Sequence, residues 1–432
     1  MKQLICMIVI ISLVPCSFVS CSHSPVESEI TMPENNAKAL TIWTWRKNYN
    51  GRALEIAHQY FVRSNPDTTL NIVEMGRDEI LSQLKIKFTI KDYHDLPDIV
   101  LIEDYQIQEI LRKFPGEIRT LPATLDKEKF ADCAIKASSF DGKMYGIPLD
   151  TGAALMFYRV DYIERAGYSA EDMLDLTWEK YIEIGKAVKE KTGKLMLTLT
   201  PTDLWQIRLM LQSAGQWYVK EDGITVNIAN NPVLKDAVRT YIDIVKSGIA
   251  LQVTGYDKEY GAVSADIVAS VLTGTWRLQT MILTADRQEG KWAIAPIPRM
   301  SNHGSVNAAA LGGYGWYVID KSENADAAVD FLLSTLISDT DVINELASEL
   351  ALVSPLKNAR NFPAYSSTKS AFHGQPSLRY LSDMIENVPP VDYGMHTYPI
   401  DNMIEDCVQS IMQGANIDDM LQNTQIIAEA IP

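Results

Sequence analysis

Apolar and polar positions first fall into register at Ala39. Ala39 to Thr44 reads as a strand, and Arg52 to Arg63 carries Leu54, Ala57, Tyr60 and Phe61 at helical spacing. Asn50-Gly51 and Asn65-Pro66-Asp67 read as turns. Thr69 to Glu74 alternates as a strand does. Asp78 to Phe88 repeats Leu81, Leu84 and Phe88 as a helix does. Asp98 to Ile102, behind Pro97, is a short apolar run that predicts a buried strand. Strands alternating with helices predict parallel pairing with right-handed crossovers, hence an α/β fold. In such sheets ligands collect at the carboxyl ends of the strands. Those ends carry Trp43 to Arg46, then Glu74 and Met75, then Glu103, Asp104 and Tyr105.

From Ala153 to Ala295 the pattern is mostly helical. Thr177 is an N-cap for a helix that ends near Lys191 and Gly193. Asp203 to Ser213 is a second helix, and Asn231-Pro232 opens a third that runs to Gly248. Gly274-Thr275-Trp276 interrupts a further helical region. The chain turns strand-like near Lys291, Ala309 to Ile319 is a glycine-marked strand, and helices dominate from Asn324 onward. There is no internal repeat.

The first residues read as an address. Lys2 precedes an apolar run, Leu4 to Val14, of 11 residues, too short to span a hydrocarbon core of about 30 Å. This is the composition of a secretory signal over residues 1–20. Phe18-Val19-Ser20-Cys21 resembles a bacterial lipobox, with phenylalanine where that motif prefers leucine; the resemblance implies lipidation of Cys21. Residues 21–37 read as a flexible, polar tether. Processing would leave 412 of the 432 residues, enough for two or more domains. No later apolar run reaches membrane-spanning length. Loss of Lys2 takes the formal charge from −16 to −17, and an acidic body without a basic stripe argues against nucleic acid as a partner. Beyond the tether only Cys133 and Cys407 remain, so the chain is no disulfide scaffold; pairing and two free thiols both stay open.

At "DGKMYGIPLDTGAALMFYRVDYIERAG", Asp141 to Gly167, the pattern becomes familiar. It resembles a segment of bacterial extracellular solute-binding proteins of the sugar ABC-transporter type, the maltose-binding-protein-like family: a Gly-Lys-x-Tyr-Gly-x-Pro hairpin, a strand ending in tyrosine, and a helix ending in Ala-Gly. "TWEKYIEIGKAV", "LTGTWRLQTM" and "LGGYGWYVIDKSENADAAVDFL" resemble further pieces in the family's order. Arg159 departs from the asparagine that many relatives carry. The resemblance implies a two-lobed periplasmic-binding-protein-like fold (type II) with the ligand cleft between the lobes. It implies a first lobe of 38–150 plus 297–320 and a second of 151–296 plus 321–432. Chain crossings are expected at Asp150-Thr151-Gly152, at Pro296 and at Asp320-Lys321, with Thr151 and Gly152 as hinge. It further implies an extracytoplasmic, lipid-anchored monomer that passes a carbohydrate to an ABC-transporter permease, with no cofactor.

A sugar offers an apolar C–H face to aromatic rings and a rim of hydroxyls to polar side chains. The stacking candidates are therefore Trp45, Trp205 and Trp276, and the hydroxyl partners Arg46, Glu103, Asp104 and Asp150. Tyr314, Tyr393 and His396 are expected to close the cleft. In "TIWTWRKNYNG" Trp43 is assigned to the core and Trp45 to the site; Trp178, Trp217 and Trp316 are read as packing residues.

Enzyme signatures are lacking. No phosphate-binding glycine loop or Gly-x-Ser-x-Gly elbow is present. The six histidines, at 23, 58, 94, 303, 373 and 396, have no close pairing, which argues against a zinc site. A glycosidase needs only two carboxylates, so Glu103 or Asp104 with Asp150 keeps that alternative open. A receptor for a non-sugar polar solute and an anchored scaffold protein with a vestigial cleft also stay open.

Overall fold

The computed structural model describes residues 38–431 except 289 and 368–371. The readings on the signal, on Cys21 and on the tether lie outside the described residues. In chain order the strands are β1 (Lys38–Thr44), β2 (Thr68–Glu74), β3 (Ile99–Glu103), β4 (Ser139–Phe140), β5 (Lys143–Met144), β6 (Gly146–Asp150), β7 (Ala154–Arg159), β8 (Leu197–Leu199), β9 (Ala250–Gln252), β10 (Ser270–Gly274), β11 (Trp292–Pro296) and β12 (Tyr314–Val318).

The first sheet runs β2-β1-β3-β12-β6. β1 pairs in parallel with β2 and β3, and β12 lies antiparallel between β3 and β6. Its inner strands are apolar on both faces because both are covered. On one face Leu40, Ile42, Ile99, Leu101, Trp316 and Val318 join the core formed with helix α1 (Arg52–Phe61). On the other, Trp43, Val100, Ile102, Tyr317 and Ile319 meet Ile80, Leu84 and Phe88 of helix α2 (Arg77–Ile90) and Ile107 and Leu111 of helix α3 (Asp104–Lys113). This is the strict two-residue alternation of a strand.

The second sheet, β10-β7-β11, is wholly antiparallel. It divides two cores in the same way: Leu155, Phe157, Val271 and Ile294 go to one, and Met156, Tyr158, Leu272 and Ala293 to the other. The latter core also holds the helices Trp178–Thr192, Trp205–Ser213, Pro232–Ser247 and Thr397–Met412. Their ends follow the expected chemistry. Thr177 caps the first by accepting from Lys180 N, and Asn231 accepts from Val233 N and Leu234 N beside Pro232. Trp178, Trp217 and Trp316 are fully buried. Cys133 and Cys407 are free and buried, and burial pushes the Cys133 thiol up to about 12.

Three expectations are corrected. Asn50-Gly51 is no turn: Lys47–Gly51 already coils into α1, and Asn50 Nδ2 reaches back to the Trp45 carbonyl at 2.7 Å. Pro296 is no crossing. Residues beyond it stay with the second sheet, through the Thr177–Arg299 bridge, Val306 N to Ser213 O at 2.8 Å and Ala154 N to Ala309 O at 2.8 Å. The chain crosses instead at Leu311–Gly313. Nor does it cross at Asp320-Lys321: the helices Ala325–Leu336 and Thr340–Leu350 pack on α1, with Phe331 edge-on to Phe61 at 5.1 Å. Residues near the second sheet reappear at Phe372, whose ring lies 5.3 Å from Phe157, and at Gln375, which bonds both backbone groups of Ile294.

At the crossing the segments 150–154 and 309–313 lie side by side, joined by the Ala153–Ala310 bridge and by Leu311 N to Gly152 O at 2.7 Å. Gly152 has φ +62, and a Cβ there would stand 1.9 Å from the Gly312 carbonyl oxygen. Glycine is required by conformation and by contact alike.

Candidate functional site

A cleft of about 870 Å³ opens at the carboxyl ends of β1 and β3. β1 ends at Thr44, and Arg46 takes the left-handed conformation (φ 51, ψ 60). In an unbroken strand Trp43 and Trp45, two apart, would share a face. The strand end and this reversal separate them: Trp43 is 6 % exposed in the core, while Trp45 and Arg46 line the cleft. Arg77 and Asp78 come from the start of α2, Glu103 from the end of β3, Tyr105 from the first turn of α3, and Gly312 and Tyr314 from the crossing and β12.

The facing wall carries Asp203, Trp205 and Arg208, then Asp257, Glu259 and Tyr260, then Trp276 and Arg277. Tyr398, Asp401, Asn402 and Glu405 of the helix Thr397–Met412 complete it. Gly274 lets the Trp276 ring fold close, since a Cβ there would stand 2.4 Å from Trp276 Nε1. The guanidinium of Arg277 lies 5.0 Å from the same ring.

Of the ten expected ligand-binding residues, Trp45, Arg46, Glu103, Trp205, Trp276 and Tyr314 line this cleft. The other four do not. Asp104 is buried as the first residue of α3, pressed behind Gly313, where a Cβ would stand 2.3 Å from its Oδ2. Asp150 is 1 % exposed beneath the lining, and its Oδ1 accepts from Gly152 N at 2.8 Å and Thr275 Oγ1 at 2.5 Å. Tyr393 is packed behind Tyr105 and Trp217, both at 4.8 to 5.5 Å between ring centroids within that trio, and takes a bond from Gln212. His396 precedes the helix Thr397–Met412 and faces Lys113, Glu109 and Lys85 rather than the cleft; burial, then Lys113, lowers its pKa. The carboxylate pair that a glycosidase would take from Glu103 or Asp104 with Asp150 is therefore not assembled in the cleft.

Arg77, Arg208 and Arg277 of the cleft are paired with carboxylates. Arg77 Nη1 donates to Glu103 Oε2 at 3.0 Å and to Tyr398 Oη at 3.1 Å, and Tyr398 donates to Glu103 Oε2 at 2.8 Å. Burial raises the Glu103 pKa, with Arg77 and Tyr398 pulling the other way. Arg208, 5 % exposed, pairs with Asp203 at 2.8 Å and with Asp401, and its guanidinium lies 5.5 Å from the Tyr105 ring. Arg277 pairs with Glu259 at 2.8 Å. Four arginines and seven carboxylates line the cleft, planar hydrogen-bonding groups set among aromatic plates. Among the described residues no three His, Cys, Asp or Glu side chains group to hold a metal ion. Arg159, the departure from the family pattern, lies elsewhere: it is 2 % exposed and pairs with Asp161 and Asp266.

Several lining residues escaped the sequence reading. Arg208 had a signal: it interrupts the otherwise uncharged "WQIRLMLQS", all nine residues of which are buried, and a buried arginine needs partners. Tyr398 stands two residues past His396 and takes the place expected of it. Arg77, Asp257, Glu259 and Asn402 carry no local signal, since polar residues at helix starts and on helix faces are ordinary.

Comparison with known proteins follows the geometry. The model of the bacterial extracellular solute-binding protein family matches residues 57–372, more than half of the chain. The lactose-binding protein of Rhizobium radiobacter is 37% identical over 386 residues, covering 89% of this chain and 91% of that protein. The arabinooligosaccharide-binding protein of Bacillus subtilis (strain 168) is 25% identical over 342 residues, covering 77% and 75%. Among solved structures, the sugar-binding protein MalE from Xanthomonas citri superposes with a TM-score of 0.75 at 18% identity, covering 91% of this chain and 96% of that one. The fold is the mixed α/β, two-lobed architecture of such proteins. The chain belongs to the bacterial extracellular solute-binding proteins.

Proposed function

We propose that this protein captures a neutral di- or oligosaccharide in the cleft and delivers it, without chemistry, to an ABC-transporter permease. The observation that carries this reading is the lining itself: Trp45, Trp205, Trp276, Tyr105 and Tyr398 stand among Arg–carboxylate pairs in one cleft of about 870 Å³. Rings suit the C–H face of a pyranose, and buried ionic groups with spare lone pairs and N–H bonds suit its hydroxyls. A site so built rejects ligands that lack those hydroxyls, because its polar groups would be stranded. The volume lies toward the upper end of small-ligand pockets, which favours more than one sugar ring. Seven carboxylates against four arginines disfavour uronates and sulfated sugars.

The 37% identity to a lactose-binding protein makes galactosides the first ligands to test, and the second relative adds arabino-oligosaccharides. The family places the chain outside the cytoplasm; attachment through a lipidated Cys21 and work as a monomer belong to the same proposal. Thermal shift across lactose, arabino-oligosaccharides and their uronate analogues tests the ligand class. A ligand at about 100 times its Kd adds about 2.7 kcal/mol of stability, and no shift with any neutral sugar would overturn the reading. Release of a Cys21→Ser variant from the membrane fraction tests the anchor.

A further inference from the structure

Tyr398 and the two residues it bonds line the cleft from opposite walls. Arg77 opens α2 and Glu103 ends β3, both belonging to the first sheet and its cover. Tyr398 stands in the first turn of the helix Thr397–Met412, which packs into the core of the second sheet. Its hydroxyl meets both partners at once: it accepts from Arg77 Nη1 at 3.1 Å and donates to Glu103 Oε2 at 2.8 Å. Arg77 Nη1 also reaches both oxygens of Glu103, at 3.1 and 3.0 Å. The ring is held as well. The Arg77 guanidinium lies 5.1 Å from its centroid, that of Arg208 5.9 Å, and Tyr105 meets it edge-on at 5.8 Å and 79°. Tyr105 Oη in turn accepts from Gly312 N at 2.9 Å, within the segment where the chain crosses between the sheets.

A phenol offers one donor and two lone pairs. Glu103 takes the donor and Arg77 one lone pair, which leaves no proton for a ligand. Burial, then Glu103, pushes the Tyr398 phenol well above its ordinary pKa, so it keeps the proton it donates. Hydrogen bonds to charged groups are stronger than those between neutral ones. One side chain of the facing wall is thus fastened to two of the first wall, at a point tied through Tyr105 to the crossing. Such a bond favours the walls together over the walls apart, and a ligand that needs both walls binds in proportion to the population that has them together. We propose that Tyr398 is a positioning residue: it docks the helix Thr397–Met412 onto Glu103 and Arg77 and so sets the ligand-ready separation of the two walls, rather than reading a hydroxyl of the sugar. The proposal rests on the sugar reading given above.

The test pairs titration calorimetry with small-angle scattering on the wild-type protein, Tyr398→Phe, Glu103→Gln and the double variant. Tyr398→Phe keeps the ring and removes the hydroxyl. It is expected to weaken binding by about three- to tenfold, by the same factor for lactose and for every other sugar of the thermal-shift panel that binds. Its unliganded radius of gyration should exceed that of the wild type, and saturating sugar should bring both proteins to one radius. Its melting temperature should hold, because Arg77 and Glu103 still satisfy each other. Glu103→Gln weakens the same bridge from its other end and should add little in the double variant. An unliganded Tyr398→Phe protein with the wild-type radius overturns the proposal and leaves the sugar reading in place. So does a loss confined to some sugars, which makes the hydroxyl a direct ligand contact. So does a fall in melting temperature that accounts for the lost affinity, which makes Tyr398 a packing residue. Wild-type protein that binds neither lactose nor any other sugar of the panel overturns the sugar reading, and the radii of the unliganded proteins still decide the bridge.

Discussion

The two tryptophans at the exit of β1 make opposite predictions. Trp43 is 6 % exposed and packs with Val100, Ile102, Ile80, Leu84 and Phe88 between the first sheet and α2. An indole buries on the order of 200 Å², which at ~25 cal/mol per Å² comes to about 5 kcal/mol. That figure is an upper bound, because the denatured chain already hides part of the surface. Trp43→Ala is therefore expected to cost about 3–5 kcal/mol of folding stability and to change affinity only through the loosened sheet. Trp45 is partly buried, meets Tyr314 edge-on and presents the rest of its ring to the cleft. Its loss should cost about 0.5–1.5 kcal/mol of stability, the worth of one aromatic pair. It should cost about 2 kcal/mol of binding, roughly thirtyfold in Kd, as an aromatic anchor does. Urea denaturation and titration calorimetry on both variants check the pair. If Trp45→Ala unfolds the protein and Trp43→Ala spares it, β1 ends elsewhere than at Thr44. If neither alters affinity, this loop is not a wall of the binding site.

Gly152→Ala places a methyl 1.9 Å from the Gly312 oxygen at φ +62; the backbone strain alone costs about 1–3 kcal/mol, and calorimetry should show a lowered melting temperature. Arg208→Met leaves Asp203 and Asp401 facing a buried position without their cation, a change expected to cost about 3–5 kcal/mol in chemical denaturation; a loss below about 1 kcal/mol would mean that solvent reaches the pair. Asp104 has a pKa well above its ordinary 3.8 because it is buried beside Glu103 and Asp150. Its contribution to stability is thus full below that ordinary value and is lost as pH rises through the raised one, at about 1.4 kcal/mol per pH unit between the two. Asp104→Asn should flatten this decline, so a pH series of urea midpoints that runs parallel for both proteins would contradict it. Finally, if the 150–154 and 309–313 segments hinge, a saturating sugar should shrink the radius of gyration in small-angle scattering, and an unchanged radius would contradict closure though not binding.

Sequence alone determined the strands and helices of the first third and several later helices, whereas β8, β9 and β10 fall in a stretch whose pattern reads as mostly helical. The helix caps at Thr177 and Asn231, the apolar runs of β1 and β3, and the burial of Trp178, Trp217 and Trp316 all follow from local chemistry: period, propensity and the cost of exposing large rings. It also located the cleft edge, because the ends of parallel strands are set by the strands themselves; hence Trp45, Arg46 and Glu103 were legible. Tertiary structure decided the rest. Asp104 and Asp150 sit at the same strand ends as true lining residues, and only the close passage of Gly152 against Gly312 and of Gly313 against Asp104 buries them. Arg77 joins Tyr398 across 321 residues of chain, a pairing that no local pattern encodes. The helices Ala325–Leu336 and Thr340–Leu350 cover the first sheet rather than the second, since an amphipathic face specifies that it must be buried but not against which of two sheets. Local sequence sets which surfaces must leave water; the packing of distant segments sets which surface meets which, and so which polar groups remain to face the ligand.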